Sequence, residues 1–190
     1  CGNELPDGMR KNEKLPEPII TPSTKAAKGD HDESVPPSEL YKRGVVDPAL
    51  YKELARISMR LYERGVSRAA DHGLIFVDTK YEFGISNGKI MLMDEVNTPD
   101  SSRYWMADDY EKRFEKKEEP RKLDKEYVRT WLADKGFTGD GKPPKLTDEL
   151  RIEAAARYME VVETFTAEPM QLEVGPVDES IYSILNPFAY

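Results

Sequence analysis

The sequence has one cysteine, two histidines and no apolar run near the length of a membrane helix. Cys1 alone cannot form an internal disulfide, which favours a reducing compartment, the cytoplasm or the stroma of a plastid or other organelle. A membrane helix needs about 20 consecutive apolar residues, so we expect no membrane insertion. We also expect no signal peptide, because no basic region followed by an apolar stretch opens the chain.

Positive charge is in deficit, with 28 Lys and Arg against 36 Asp and Glu and a net charge of -8. This balance argues against a nucleic acid partner, because a phosphate-backbone binder needs clustered basic residues on one face. Small phosphorylated ligands are not excluded, since a site for them needs only a few well-placed cations. A chain of 190 residues is long enough for one domain or one large part of a two-lobed enzyme.

Prolines and glycines divide the chain into three parts. Residues 1–40 are rich in both, which predicts an extended segment with an edge strand at Pro18–Pro22. Residues 41–166 carry the periodic patterns of a folded lobe, and residues 167–190 have no periodicity, which predicts a surface tail. The mixture predicts an α+β fold in which an antiparallel sheet packs with helices.

Four segments have the apolar spacing and end signals of helices. The predicted helices are 48–71 after Asp47, 108–116, 125–135 after Asp124, and 148–165 after Thr147.

Two β-rich runs, 74–83 and 90–96, flank Ser86-Asn87-Gly88, which predicts a hairpin. In the first run, Asp78, Lys80 and Glu82 alternate with other residues and should share one face. That face could be a solvated surface with cross-strand ion pairs. Asp94 and Glu95 add carboxylates from the partner run, and facing carboxylates are unfavourable without a cation between them. A magnesium site is therefore the alternative interpretation.

Two further polar stretches suit ligand binding. Asp100, Ser101, Ser102 and Arg103 follow the second run, and hydroxyls beside a guanidinium suit a phosphate or carboxylate, although an ordinary turn is equally compatible. His31-Asp32-Glu33 could suggest a metal, but one histidine is too few for zinc and a surface loop fits as well.

At this point the sequence resembles a known family. The runs VDTKYEFG at 77–84 and DEVNTPDSSRYW at 94–105 resemble the paired signature of SAICAR synthetases. LPEPIITPSTK at 15–25 and GDHDE at 29–33 are similar to the linker that leads into the substrate site of that family. The resemblance runs in order from residue 1 to about residue 166.

The resemblance implies an ATP-grasp-like lobe and an ATP-dependent ligase that joins L-aspartate to carboxyaminoimidazole ribonucleotide (CAIR) through an acyl phosphate. Glu82 and Asp94 would hold Mg²⁺ against the ATP phosphates, and Lys80 would neutralise phosphate or carboxylate charge. The implied residues for the imidazole nucleotide are Lys25, which would act at its carboxylate, with His31, Asp100, Ser101, Ser102 and Arg103.

The family also has an N-terminal lobe with a Gly-rich turn and a lysine over the nucleotide, which this sequence does not contain. Either the chain is a fragment of a longer one, or a companion N-terminal chain supplies that lobe. In both cases we expect the isolated chain to be inactive. Two other functions remain open, a non-catalytic binding or regulatory remnant of the substrate lobe and a small-molecule kinase on a related scaffold.

The hairpin register decides on which face Asp94 lies. A two-residue loop would pair Tyr81 with Asp94, opposite Glu82, whereas a three-residue loop would pair Lys80 with Asp94. Only the second register places both carboxylates on one face, so we predict the three-residue loop or a bulge of the same parity.

Overall fold

The computed structural model describes residues 1–25, 32–123, 125–139, 141–170, 175, 182 and 186–188. The helices are α1 Pro37–Lys42, α2 Pro48–Ala70, α3 Tyr110–Glu115, α4 Glu126–Asp134 and α5 Asp148–Thr166, with a short 3-10 turn at Asn186–Phe188. The strands are β1 Leu74–Thr79, β2 Glu82–Ser86, β3 Lys89–Met93 and β4 Ser102–Met106. The predicted mixture of helices and antiparallel strands is confirmed. None of the helices in the described part of the chain has the length and apolar character to cross a membrane.

The helix predictions are confirmed in place and nearly in length. The Asp47 carboxylate accepts hydrogen bonds from the N–H groups of Ala49 and Leu50, which starts α2. The Thr147 hydroxyl accepts from the N–H of Leu150 and starts α5. Asp124, the predicted cap of α4, lies outside the described residues.

The extended segment differs from its prediction in two places. No helix was expected before residue 41, but helix α1 begins at Pro37. It can begin there because proline is well tolerated in the first turn of a helix. No strand forms at 18–22; a single bridge joins Ser23 to Ser34 instead.

The predicted hairpin around Asn87-Gly88 is confirmed, but the extent of its first strand was wrong. The run 74–83 breaks at Lys80-Tyr81 into β1 and β2, which belong to separate two-stranded sheets. Strand β1 pairs antiparallel with β4, a strand that was not expected, and β2 pairs with β3. Because the run breaks, Asp78 and Glu82 do not share the face of one strand.

The core lies where α2 and α5 cover the β1–β4 sheet. Its buried members are Ala69, Leu74, Phe76, Tyr104, Leu123 and Val161. Phe76 stacks on Tyr104 at a ring distance of 5.0 Å, and Phe165 of α5 meets the Tyr104 ring edge-on at 5.3 Å. Aromatic burial of this kind holds β1 and β4 in place. The polar residues of both sequence motifs lie where β1 ends and β4 begins.

Candidate functional site

The β1–β4 pairing brings the two signature motifs together. Asp78 pairs with Arg103 and Thr79 with Ser102. The Thr79 and Ser102 hydroxyls are 2.9 Å apart, and the Lys80 N–H donates to the Ser101 carbonyl at 3.3 Å. The lysine of one motif therefore lies beside the Ser-Arg segment of the other.

A bulge in β1 exposes Asp78. Strict alternation from buried Phe76 would turn residue 78 toward the core, but the register shifts between Phe76 and Asp78. The carboxylate then meets Arg103, whose Nε donates to Asp78 Oδ1 at 2.8 Å while a terminal nitrogen donates to the other oxygen. Asp78 was not predicted as a site residue. A charge at a position that period 2 assigns to the core was the signal that could have indicated it.

Glu82 lies between two lysines from different parts of the chain. Lys25 Nζ donates to Glu82 Oε2 at 2.6 Å and Lys80 Nζ donates to Oε1 at 2.6 Å. The hydrogen bond from Lys25, followed by that from Lys80, lowers the pKa of the Glu82 carboxyl. The extended segment thus contacts the hairpin through Lys25.

Two more carboxylates act on Lys80. The hydrogen bond to Glu82 raises the pKa of Lys80, burial opposes this, and the charges of Asp32 and Asp94 add to the rise. Asp32 was not among the predicted site residues, whereas its neighbour His31 was, and His31 lies outside the described residues. Lys25, Lys80 and Glu82, which are joined by ion pairs, form the Glu82 cluster, and the charges of Asp32 and Asp94 act on it through Lys80.

The predicted hairpin register was wrong. Ser86 pairs with Lys89 across the two-residue loop Asn87-Gly88, and Glu82 pairs with Met93. Both loop residues have positive φ, 50° and 73°, the geometry of a type I′ turn that Asn-Gly favours.

Asp94 lies just beyond the paired part of the hairpin. It follows the last paired residue, has a left-handed φ of 63°, and is exposed. Strand parity therefore ends at Met93 and does not apply to Asp94, whose charge contributes to the raised pKa of Lys80.

Asn97 anchors the loop between β3 and β4. The Tyr81 hydroxyl donates to Asn97 Oδ1 at 2.7 Å, and the Tyr104 hydroxyl donates to the Asn97 carbonyl at 2.5 Å. The Thr98 hydroxyl donates to the Glu95 carboxylate. Burial raises the pKa of both tyrosines to about 12, so the hydroxyls stay protonated and able to donate.

The remaining predicted substrate residues have different exposures. Asp100 is exposed, with its carboxylate 3.5 Å from Lys125 Nζ. Ser102 is buried and bonded to Thr79. The Ser101 hydroxyl is buried without a hydrogen-bond partner. Only Asp100 and Arg103 of this loop present a charged group at the surface.

The carboxylates fit a hard cation in donor type. Within the described ranges no group of three or more His, Cys, Asp or Glu side chains is arranged to hold a metal ion. Magnesium commonly uses only one or two protein carboxylates and completes its shell with water and phosphate oxygens. Glu82 and Asp94 suit that pattern, but both Glu82 oxygens are held by lysines.

Comparisons with known sequences identify related proteins. The sequence model of SAICAR synthetase matches residues 1–145. The phosphoribosylaminoimidazole-succinocarboxamide synthase of Bacteroides thetaiotaomicron is 52% identical over 170 residues, 88% of this chain and 54% of the relative. The chloroplastic synthase of Arabidopsis thaliana is 46% identical over 184 residues, 96% of this chain and 44% of the relative.

Solved structures give the same family. The SAICAR synthase of Saccharomyces cerevisiae complexed with SAICAR is similar with a TM-score of 0.69 and 31% identity, over 90% of this chain and 54% of that one. A SAICAR synthetase in complex with ADP has a TM-score of 0.63 and 28% identity, over 86% and 57%. The chain spans about half the length of the curated relatives it matches. With its motifs joined in one cluster and relatives of this similarity, the chain belongs to the SAICAR synthetase family.

Proposed function

We propose that the whole enzyme to which this chain belongs is an ATP-dependent ligase that joins L-aspartate to CAIR and releases SAICAR, ADP and phosphate. The observation that supports the proposal is the contact between both motifs. Lys25 and Lys80 pair with Glu82, and the charge of Asp94 acts on Lys80. The Lys80 N–H donates to the Ser101 carbonyl. The SAICAR and ADP named with two structural relatives support the choice of ligands.

The chemistry needs no protein nucleophile. An oxygen of the CAIR carboxylate attacks the γ-phosphorus of ATP, ADP leaves, and an acyl phosphate remains. The amine of aspartate then attacks the acyl carbon, phosphate leaves, and the nitrogen loses a proton. Catalysis of this kind rests on positioning and charge neutralisation, which suits a cluster of lysines, carboxylates and an arginine.

The residues take distinct roles in this proposal. Lys80 would neutralise phosphate charge, and Lys25 would act at the CAIR carboxylate. Arg103, oriented by Asp78, would contact the imidazole nucleotide, with His31, Asp100, Ser101 and Ser102 in the same substrate loops. Mg²⁺, which would be held by Glu82 and Asp94, supplies charge neutralisation at the phosphates when it is bound.

Complete turnover is proposed for the whole enzyme only. A companion N-terminal part would supply the rest of the relatives' length and the remainder of the nucleotide site. The two sheets described above would then belong to an ATP-grasp-like lobe.

ADP release tests the proposed reaction. We expect release by the assembled enzyme to depend on both CAIR and L-aspartate, with SAICAR formed in equal amount. Release that needs CAIR but not aspartate would indicate a kinase instead. No release with the companion part present would indicate a non-catalytic binding protein.

Glu82→Ala should lower kcat/KM of the assembled enzyme by about 100-fold or more, roughly 2.7 kcal/mol of transition-state stabilisation. The reason is that the metal would lose a carboxylate ligand, and Lys25 and Lys80 would lose the carboxylate with which they form ion pairs. Glu63→Ala, an exposed change in α2, is the matched control and should keep full activity. Unchanged turnover in Glu82→Ala would contradict the assignment of Glu82.

A further inference from the structure

The Glu82 cluster has an unusual distribution of exposure. The Glu82 side chain is 16% exposed, whereas the Lys25 and Lys80 side chains that hold it are 72% and 52% exposed. Each lysine takes a different carboxylate oxygen. A cation that binds at Glu82 would lie beside at least one ammonium group of like charge, so its binding opposes that ion pair.

Lys80 is the more firmly held of the two. It lies two positions before Glu82, its N–H donates to the Ser101 carbonyl, and the charges of Asp32 and Asp94 also attract its ammonium group. Lys25 comes from the extended segment 57 positions away. Among the described residues, Glu82 is the one carboxylate with which Lys25 forms an ion pair. Because the Lys25 side chain is 72% exposed, water competes for its ammonium group, and the pair holds weakly.

We propose that Lys25 is a displaceable competitor for a divalent cation at Glu82. Lys25 occupies Glu82 Oε2 in the ligand-free chain, and the cation expels its ammonium group, which becomes free for an anionic group of a ligand. The inference rests on the proposed role of Glu82 as a metal ligand and goes beyond it, because it gives Lys25 a part in cation binding as well as in substrate binding.

The competition has a consequence for ligand binding. Since cation binding frees Lys25, it should favour the binding of an anion at Lys25, and the anion should favour the cation by the same factor. Lys25 would then act as a positioning residue that couples the two ligands.

Mn²⁺ binding to the 190-residue chain tests the proposal, with electron paramagnetic resonance reporting the free ion. Lys25→Met removes one positive charge next to the carboxylate and should tighten the Glu82-dependent site about fivefold. Lys25→Arg keeps the charge and should bind within about twofold of the original chain. Lys14→Met removes an equal charge elsewhere in the extended segment and should also leave the affinity unchanged.

Glu82→Gln identifies the site. The saturable Mn²⁺ binding that is lost in this variant is the binding at Glu82. Equal or weaker Mn²⁺ binding in Lys25→Met overturns the proposal, and so does the absence of Glu82-dependent binding in both chains. Circular dichroism of each variant shows whether the fold is kept. ADP release by the unsubstituted assembled enzyme tests the proposed function separately. If Lys25→Met binds Mn²⁺ more tightly but the unsubstituted assembled enzyme shows no aspartate-dependent turnover, the competition stands and the ligase is rejected.

Discussion

Ion pairs between distant parts of the chain orient the charged side chains of the site. Arg103 and Asp78 are 25 positions apart, and Lys25 and Glu82 are 57 apart. Exposed pairs such as these add at most about 1 kcal/mol to stability. Their more important effect is to fix the direction of a guanidinium or a carboxylate before a ligand arrives, which lowers the cost of ordering on binding.

The planar fork of Arg103 is the first feature to test. Arg103→Lys should weaken the imidazole nucleotide by about tenfold, because an ammonium group cannot pair with Asp78 and also offer parallel donors to a ligand. ATP affinity should stay the same. Separate KM values for CAIR and ATP in the assembled enzyme measure both effects. Equal losses for the two substrates would remove Arg103 from the nucleotide site.

Alkaline pH should destabilise the fold through Tyr104. Burial raises the pKa of Tyr104 to about 12, against 10.0 for the free side chain. Between these pH values the unfolded chain releases a proton that the folded chain retains. The contribution of Tyr104 to the unfolding free energy is therefore fully present below pH 10 and is lost as pH rises toward 12. The fall should reach about 1 kcal/mol near pH 11.

Tyr104→Phe should remove this part of the pH dependence. The change costs about 1 kcal/mol at neutral pH, because the hydrogen bond to the Asn97 carbonyl is lost. Urea unfolding at pH 8 and pH 11 measures the slope. Parallel pH profiles for the two proteins would show that Tyr104 does not titrate as proposed.

Helices could be predicted from sequence where their signals are local. Asp47 and Thr147 cap α2 and α5 as expected, because a cap needs only a side chain and N–H groups two or three positions away. The Asn87-Gly88 turn was also local, and its preference for two residues prevailed over the register chosen to join Glu82 and Asp94.

Strand partners and site contacts could not be predicted in the same way. The break at Lys80-Tyr81 follows from the pairing of β1 with β4, which begins 23 positions beyond Thr79. Local β propensity does not reveal such a partner. The Lys25–Glu82 contact likewise has no local signal, and only the family resemblance placed both residues in one site.

Gly65 lets helix α2 approach the sheet and the Asn97 loop. A Cβ at this position would lie 2.6 Å from Cε1 of Phe76 and 2.9 Å from Nδ2 of Asn97. Gly65→Ala should therefore destabilise the fold by about 1–2 kcal/mol, since the overpacking cost exceeds the gain of about 1 kcal/mol in helix propensity.

Urea unfolding of Gly65→Ala beside Ser67→Ala separates these effects. Ser67 is exposed in the same helix, and its replacement should change the unfolding free energy by less than about 0.5 kcal/mol. A Gly65→Ala chain as stable as the original would contradict the close approach of Phe76.

Stability should be uneven across the whole molecule. The β1–β4 sheet lies within the core of α2 and α5, whereas β2 and β3 pair only with each other and expose apolar side chains such as Ile85, at 63%. A two-stranded hairpin without a covered face is marginally stable in water. Glu82 belongs to this hairpin, so the proposed metal ligand lies on the part of the sheet structure with the least support.

Hydrogen exchange followed by mass spectrometry should reveal this difference. We expect the paired amides of β2 and β3 to exchange at least about tenfold faster than those of β1 and β4, because they open locally without disrupting the core. Mg²⁺ with ADP, added to the assembled enzyme, should slow exchange in the hairpin by mass action and leave α5 unchanged. Equal protection of both sheets in the ligand-free chain would contradict the uneven stability. Slowing that appears in α5 but not in the hairpin would place the nucleotide away from Glu82.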